Sequence, residues 1–164
     1  MTIKDINDRA GAAICYDLIR HSYQHAHVPL ADWSLFEAAF ELLAPNNSLR
    51  FYLAYVEDKP VAASVELFYK DTVYGWYSGI ERAHSKYIPG EMLMWQVLSW
   101  GAQNGYKTYD FGGAGKPSET YGVRDFKAKF GGELVNFGRN TLVHSPNILR
   151  ISEIGYQLYR KILR

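Results

Sequence analysis

Three β-rich runs separated by very short turns constrain the fold of this chain more than any other feature. The runs cover residues 50–56, 61–69 and 72–80, and the turns between them are residues 57–60 and 70–71. Turns this short join antiparallel neighbours, because a parallel connection needs a crossover of a dozen or more residues. The sequence therefore predicts an antiparallel meander of three strands.

Helical patterns flank this meander. Residues 8–26 place apolar side chains at spacings of three and four, and Asp32 is suited to cap a second helix. After the meander, Pro89 fits the first turn of a third helix, which Asn104-Gly105 ends. Helices on both sides of a meander are typical of a layered α and β arrangement.

The last third of the chain alternates short elements. Residues 107–111 are predicted to form a strand, 124–130 a short basic segment, 133–143 a final strand or pair of strands, and 147–163 a closing helix. No repeat or linker divides the chain. We therefore expect one domain over residues 1–164, of the α+β class, with a central, mostly antiparallel sheet flanked by helices.

Composition is that of a soluble globular protein, since 48% of the residues are hydrophobic and 21% are charged. No run reaches the ~18 apolar residues that a membrane helix needs. Residues 1–5 lack the apolar run of a secretory signal. The single cysteine, Cys15, cannot form an internal disulfide and lies in a helical pattern. We expect a buried structural thiol and a cytoplasmic location.

Charge is unevenly distributed along the chain. Residues 1–84 hold seven Lys and Arg against eleven Asp and Glu, a net charge of −4. Residues 85–164 hold eleven against six, a net charge of +5. The basic half favours an anionic partner, such as a donor that carries phosphate groups.

The histidines and the glycine cluster do not match known cofactor motifs. His21 and His25 have the spacing of a helical metal pair, but no Glu accompanies them as in H-E-x-x-H, and no ligand cluster follows. The glycines within residues 112–115 follow a late strand with no βαβ unit around it, unlike a dinucleotide loop. We expect neither a metal site nor a dinucleotide site.

Two linked motifs carry a family resemblance. Residues 109–113 read YDFGG and residues 126–133 read FKAKFGGE. The pair resembles the Fem-type branch of the GNAT superfamily, which builds peptidoglycan cross-bridges, and its relatives among the BioF-like acetyltransferases. Residues 53–63, and the Pro89-Gly90 start of a helix rich in Trp and Leu, extend the resemblance over most of the chain.

The resemblance implies a single GNAT-like fold equivalent to the second half of a Fem-type enzyme, whose members resemble two such folds in tandem. It implies transfer of an acyl or aminoacyl group from acyl-CoA or aminoacyl-tRNA to an amine, with a small molecule or a peptidoglycan precursor as acceptor. No tightly bound cofactor and no DNA partner are implied. A lone half is a smaller transferase, a partner in a homodimer or other pair, or part of a longer protein. The alternative is a non-catalytic binding or dimerisation module.

The resemblance also implies catalytic residues. Lys127 matches the family lysine near the donor, where a cation can stabilise the oxyanion or bind the donor's anionic groups. Tyr121 follows the loop and is the candidate proton donor to the leaving group. Asp110 ends a predicted strand before three glycines, and either takes part in catalysis or accepts hydrogen bonds from the glycine amides.

The substrate-binding candidates lie beside Lys127. Arg124 shares its helical face and can hold a phosphate or carboxylate in bidentate fashion. Lys129 points elsewhere on the helix, and Phe126 belongs to the same motif.

The donor-binding candidates are Ser85, Lys86, Tyr87 and Gly90. GNAT acetyltransferases usually hold the coenzyme A pyrophosphate on a Q/R-x-x-G-x-G/A loop before the central helix. Residues 82–87 read RAHSKY, with Ser and Tyr where glycine is expected. Glycines let backbone N–H groups approach phosphate, so their absence weakens the coenzyme A alternative.

Overall fold

A five-stranded sheet organises the first of two compact units, residues 1–113 and 114–164. The computed structural model describes residues 1–116, 118–136, 138 and 140–162. The elements of the first unit are β1 (Thr2–Ile6), α1 (Arg9–His25), α2 (Trp33–Leu43), β2 (Leu49–Val56), β3 (Lys59–Tyr69), β4 (Thr72–Ile80), α3 (Pro89–Gln103) and β5 (Thr108–Asp110). Short 3-10 segments, Ala44–Asn46 and Arg82–Tyr87, precede β2 and α3.

The strands follow chain order across the sheet, from β1 at one edge to β5 at the other. The first four are antiparallel to their neighbours, and β5 pairs in parallel with β4. The predicted meander and the α+β class with a mostly antiparallel sheet are confirmed. The parallel step requires the crossover that α3 supplies.

Helices α1 and α2 cover one face of the sheet. Asp8 and Asp32 cap them, accepting hydrogen bonds from the amides of Gly11 (2.8 Å) and Ser34 (3.0 Å). Phe36 is fully buried there among aromatic neighbours. Cys15 is buried on this face, as predicted, and burial raises the pKa of its thiol.

Helix α3 covers the other face. It begins at Pro89 and ends before Asn104, as predicted. Leu93 and Val97 are buried against the sheet, where they pack with Phe68. This second core is smaller than the first, and it also contains polar side chains that are described below.

Strand β1 was not predicted. Its sequence, TIKDI, has only two apolar side chains, and three of its five residues are exposed. An edge strand of this kind carries a weak hydrophobic signal, because one of its two edges faces solvent instead of another strand. Its formation depends on the register with β2, in which Ile6 lies opposite Phe51.

The strand predicted over residues 133–143 is wrong for the described part of that range, 133–136, 138 and 140–143, which forms no strand. Residues 137 and 139 lie outside the described residues. Leu134, Val135, Leu142 and Val143 carry the β-propensity there, but all four are exposed. β-propensity reflects the fit to a half-buried pleated surface, and it does not create a strand without a neighbour.

The second unit contains α4 (Gly122–Ala128) and α5 (Pro146–Ile162). Helix α4 starts two residues before the predicted basic segment, and α5 matches the predicted closing helix up to residue 162. Residue 163 of that prediction lies outside the described residues. The apolar stripe Ile151, Ile154 and Leu158 of α5 is exposed. Among the described residues, no helix is both long and apolar enough to cross a membrane.

Candidate functional site

Strand β5 pairs with only part of the length of β4. Their parallel ladder joins three residue pairs and ends where Tyr74 lies opposite Asp110. Strand β4 continues from there to Ile80, whereas β5 ends at Asp110. The far end of β4 is held by Ser22 of α1, whose hydroxyl donates to the Ile80 carbonyl (3.0 Å) and accepts from the Ile80 amide (2.8 Å). Among the described residues, β4 therefore has no partner strand on this side over residues 75–79, and we call this unpaired edge the opening.

A buried carboxyl lies next to the end of the ladder between β4 and β5. Glu66 of β3 is 1% exposed, and Tyr109 of β5 donates a hydrogen bond from Oη to Glu66 Oε2 (3.0 Å). The phenol reaches Glu66 across Gly75, the first residue of β4 beyond the ladder. A Cβ at Gly75 would lie 2.5 Å from Tyr109 Oη, so only glycine admits this contact unchanged.

Burial dominates the electrostatics of this pair. Burial raises the pKa of Glu66 to about 7, although the nearby Ser64 hydroxyl and the hydrogen bond from Tyr109 oppose the rise. Burial and the neighbouring Glu66 charge raise the pKa of Tyr109. Arg50 lies opposite Glu66 in the register of β2 and β3, but its guanidinium pairs with Asp5 (2.5 Å). Arg50, the cation that the register places opposite Glu66, is therefore already paired with another carboxylate.

The segment before α3 is a closed 3-10 turn. The amide of His84 donates to the Glu81 carbonyl (3.0 Å), and the amide of Ile88 donates to the Ser85 carbonyl (2.9 Å). Ile88 adopts a left-handed conformation with φ 47°, which is rare for a β-branched residue. The turn directs the chain from the end of β4 into the first turn of α3.

A family comparison identifies the domain to which this fold belongs. Residues 1–128 match the family model of the acetyltransferase (GNAT) domain. The chain belongs to this family. A comparison with curated protein sequences finds no match.

Solved structures share the GNAT fold at low identity. FemX has 15% identity and a TM-score of 0.69, over 77% of this chain and 48% of its own. This chain therefore spans about half the length of FemX. The aminoglycoside acetyltransferase meta-AAC0020, from an uncultured soil metagenomic sample and in complex with sisomicin, has 15% identity and a TM-score of 0.59, over 87% and 96%. AAC(6')-Iy, in complex with a CoA-S-monomethyl-acetylneamine bisubstrate analog, has 13% identity and a TM-score of 0.62, over 86% and 98%. At these identities the likeness shows the fold alone, and the Fem-like resemblance holds at that level.

The predicted donor-binding residues of this GNAT domain lie together. Ser85, Lys86 and Tyr87 end the 3-10 turn and are exposed, and Gly90 is the second residue of α3. Lys86 Nζ lies 4.9 Å from the centroid of the Tyr87 ring. The structure thus gathers these four at the N-terminus of α3, and their binding role stays a prediction.

Asp110 makes the contact that was one of its two predicted alternatives. Its Oδ1 accepts a hydrogen bond from the amide of Gly112 (2.7 Å), and Gly112 has a positive φ of 67°. The side chain is exposed beside the opening. This contact stabilises the turn that carries the chain away from β4, and a catalytic role for Asp110 stays a prediction.

Arg124 of α4 organises the loop that precedes the helix. Its guanidinium donates to the carbonyls of Lys116 (3.1 Å), Glu119 (2.5 Å) and Ala114 (3.5 Å). Three of its donors are therefore used within the loop, which leaves fewer for the predicted substrate phosphate or carboxylate. The ring of Tyr121, at the N-cap position of α4, packs on Gly115 of the same loop.

The remaining predicted residues lie on or next to α4. Phe126 packs edge to face on Phe130, with ring centroids 5.4 Å apart, and Lys129 Nζ lies 5.9 Å from the Phe126 centroid. Lys127 is half-buried in the last turn. The predicted site residues thus fall into two groups, one in each unit of the chain.

Glu66 and the contact that Tyr109 makes with it were not predicted from the sequence. One signal was available, because Glu66 is the only charged residue between residues 61 and 69, in a strand that is otherwise apolar apart from a serine and a tyrosine. A charge in such a strand is rarely buried without a function or a partner. The partner itself was beyond sequence analysis, because it comes from a strand 43 residues away.

Proposed function

We propose that this GNAT domain transfers an acyl or aminoacyl group from an activated donor to an amine. The observation that carries the proposal is the opening between β4 and β5, which begins after three ladder pairs. An extended donor arm can lie in such an opening and bond to the exposed edge of β4, while the acyl group reaches the point where the strands part. Holding both reactants in one geometry supplies much of the rate in acyl transfer.

The turn before α3 supports aminoacyl-tRNA over acyl-CoA as donor. The amides of His84 and Ile88 are bonded within the turn, and Ser85 and Tyr87 occupy positions where glycine would open the backbone to a pyrophosphate. The resemblance of residues 109–113 and 126–133 to the Fem-type motifs agrees with this preference. The CoA analog bound by AAC(6')-Iy makes acyl-CoA the donor to test against it.

The acceptor that fits the Fem-like resemblance is an amine of a peptidoglycan precursor. In this scheme Lys127 stabilises the oxyanion and Tyr121 protonates the leaving group. Ser85, Lys86, Tyr87 and Gly90 receive the donor. Arg124 acts chiefly by ordering the loop before α4, as its three carbonyl contacts indicate.

A thermal-shift series tests the proposal and separates the donors. The purified chain is heated with coenzyme A, acetyl-coenzyme A, an aminoacyl-tRNA mixture and a UDP-linked peptidoglycan precursor. A ligand at a hundred times its Kd stabilises the folded state by about 2.7 kcal/mol. We expect stabilisation by aminoacyl-tRNA, followed by amide formation when the precursor is added.

The salt dependence sharpens the donor assignment. Binding of tRNA to the basic half should weaken steeply between low and moderate salt, because counterions are released. Stabilisation by acetyl-coenzyme A with transfer of the acetyl group would assign the acyl-CoA donor instead. Binding without transfer from either donor would make the chain a non-catalytic module.

A further inference from the structure

The environment of Glu66 is costly for a residue with only a structural role. The side chain is 1% exposed, and Arg50, its neighbour in the register, pairs with Asp5. Arg50 also lies over the Trp100 ring, 4.1 Å from its centroid. A buried carboxyl without a committed cation is normally replaced by an apolar residue unless its protonation is used.

Tyr109 connects this carboxyl to the opening. Glu66 itself is closed to solvent, whereas Tyr109 is partly exposed and stands in the last pair but one of the β4–β5 ladder. Its phenol crosses Gly75, where β4 leaves the ladder, and donates to Glu66 over 3.0 Å. The Tyr109 oxygen can therefore accept a proton from the opening while its own proton moves to Glu66.

We propose that Glu66 stores the proton that the acceptor amine loses, and that Tyr109 passes this proton between the opening and Glu66. The inference rests on the proposed transferase function and adds two residues to it. Tyr109 is then the group that meets the reacting amine, and Glu66 acts through it.

The proton moves as the amide bond forms. The amine nitrogen attacks the acyl carbon, and the bond from that carbon to the leaving sulfur or oxygen breaks with its electron pair. The nitrogen gives one proton to Tyr109 Oη as the Tyr109 proton passes to the Glu66 carboxylate. The leaving group takes its proton from Tyr121, as proposed above, and Tyr121 regains a proton from solvent. Glu66 releases the stored proton to solvent through Tyr109, which restores both residues. The net products are the amide and the protonated leaving group.

Glu66 is the group of this cluster that we expect to titrate near neutral pH. Strand β2 contributes Arg50, paired with Asp5, and Tyr52, whose pKa burial raises. Strand β5 contributes Tyr109, whose pKa is also raised, followed by the exposed Asp110. From α3 the core residues on this face are Leu93, Val97 and Trp100, none of which ionises.

The test measures kcat and kcat/KM for Glu66→Gln, Tyr109→Phe and Gly75→Ala between about pH 5.5 and 9. In the unsubstituted chain, kcat/KM should rise with an inflection near 7 as Glu66 ionises. Glu66→Gln should lose this inflection and about a hundredfold in kcat above it, with KM unchanged. Tyr109→Phe should do the same. Gly75→Ala, which pushes the phenol off Glu66, should share the defect in part.

Two controls separate this role from a structural one. Glu41→Gln removes an exposed carboxylate on α2 and should leave the profile unchanged. Glu66→Asp, which keeps an ionisable group, should restore an inflection, whereas a purely structural defect would lower kcat equally at every pH.

An unchanged pH profile in a folded Glu66→Gln variant that still transfers would overturn the assignment and leave the proposed function intact. Absence of transfer by the unsubstituted chain would overturn both.

Discussion

The two faces of the sheet are built from the same strands but packed in different ways. The face under α1 and α2 is closed by apolar and aromatic side chains, with Phe36 at its centre. The face under α3 has a smaller apolar cluster and buries a glutamate, which is bonded to the partly exposed Tyr109. Burying polar groups reduces stability, so we expect the second face to contribute less to the stability of the fold than the first.

The difference also shows in two glycines of one strand. A Cβ at Gly79 would meet the backbone of α1, 2.6 Å from Ile19 Cα, whereas a Cβ at Gly75 would meet only the end of the Tyr109 side chain. Close packing of backbone on the first face leaves no space to adjust. The second face can adjust, because its contact is with a side chain.

The largest expected effect is a loss of stability caused by a cavity in the first face. Phe36→Ala removes a fully buried ring that packs on Tyr16, Trp76 and Tyr77. We expect a loss of about 3–5 kcal/mol in unfolding free energy, measured by urea denaturation. A loss below about 1 kcal/mol would contradict the closed packing of this face.

The next effect is the pH dependence of stability that Glu66 gives to the second face. The pKa of Glu66 is raised in the folded state, so the folded chain holds the proton more tightly than the unfolded chain does. Stability should be full below the unfolded value of 4.5 and fall as pH rises to about 7 and above, by up to about 3 kcal/mol. Urea denaturation at a series of pH values should show this decline in the unsubstituted chain, and Glu66→Gln should lack it. A decline of equal size in both proteins would assign it to other groups.

The two glycines provide a matched pair. Gly79→Ala forces backbone apart and should cost about 1–3 kcal/mol in unfolding free energy. Gly75→Ala should cost less, since Tyr109 can rotate away, but it should disturb the pH dependence of Glu66. Melting temperatures and urea midpoints of both variants check the order. Equal destabilisation would remove the distinction between the faces.

The smallest effect on stability is expected outside both faces. Lys127→Ala truncates a half-buried charged side chain at the end of α4 and should lower the unfolding free energy by about 1 kcal/mol or less. If Lys127 stabilises the oxyanion, turnover should still fall about a hundredfold. Measuring melting temperature and turnover on one preparation separates the two quantities. Retention of most activity would remove Lys127 from the proposed site.

Much of the fold was accessible from local pattern. The meander could be predicted because its turns are too short for another arrangement. Helix α1 could be predicted from its apolar spacing, and the start of α2 because Asp32 caps it. Strand β1 escaped because its pairing with β2 supplies the stability that its composition lacks. The failed strand over 133–143 shows the opposite case, in which local propensity has no partner.

The candidate site was less accessible. The residues at the N-terminus of α3 are close in sequence, so their proximity followed from the helix start. Glu66 and Tyr109 meet only because β5 returns beside β4 through α3, and because Gly75 leaves room between them. Neither the crossover register nor the vacancy at a glycine is visible in a single sequence.

The cap that Ser22 places on Ile80 has a consequence for self-association. A strand with free main-chain groups is a template on which another chain can add a strand and begin to aggregate. Ser22 occupies both main-chain groups of Ile80, and β5 pairs with the other end of β4 up to Tyr74. The free edge is thereby limited to residues 75–79, which begin and end with glycine, a poor strand former. The same opening that can admit a slender donor arm is too short and too weak a template to recruit a second chain.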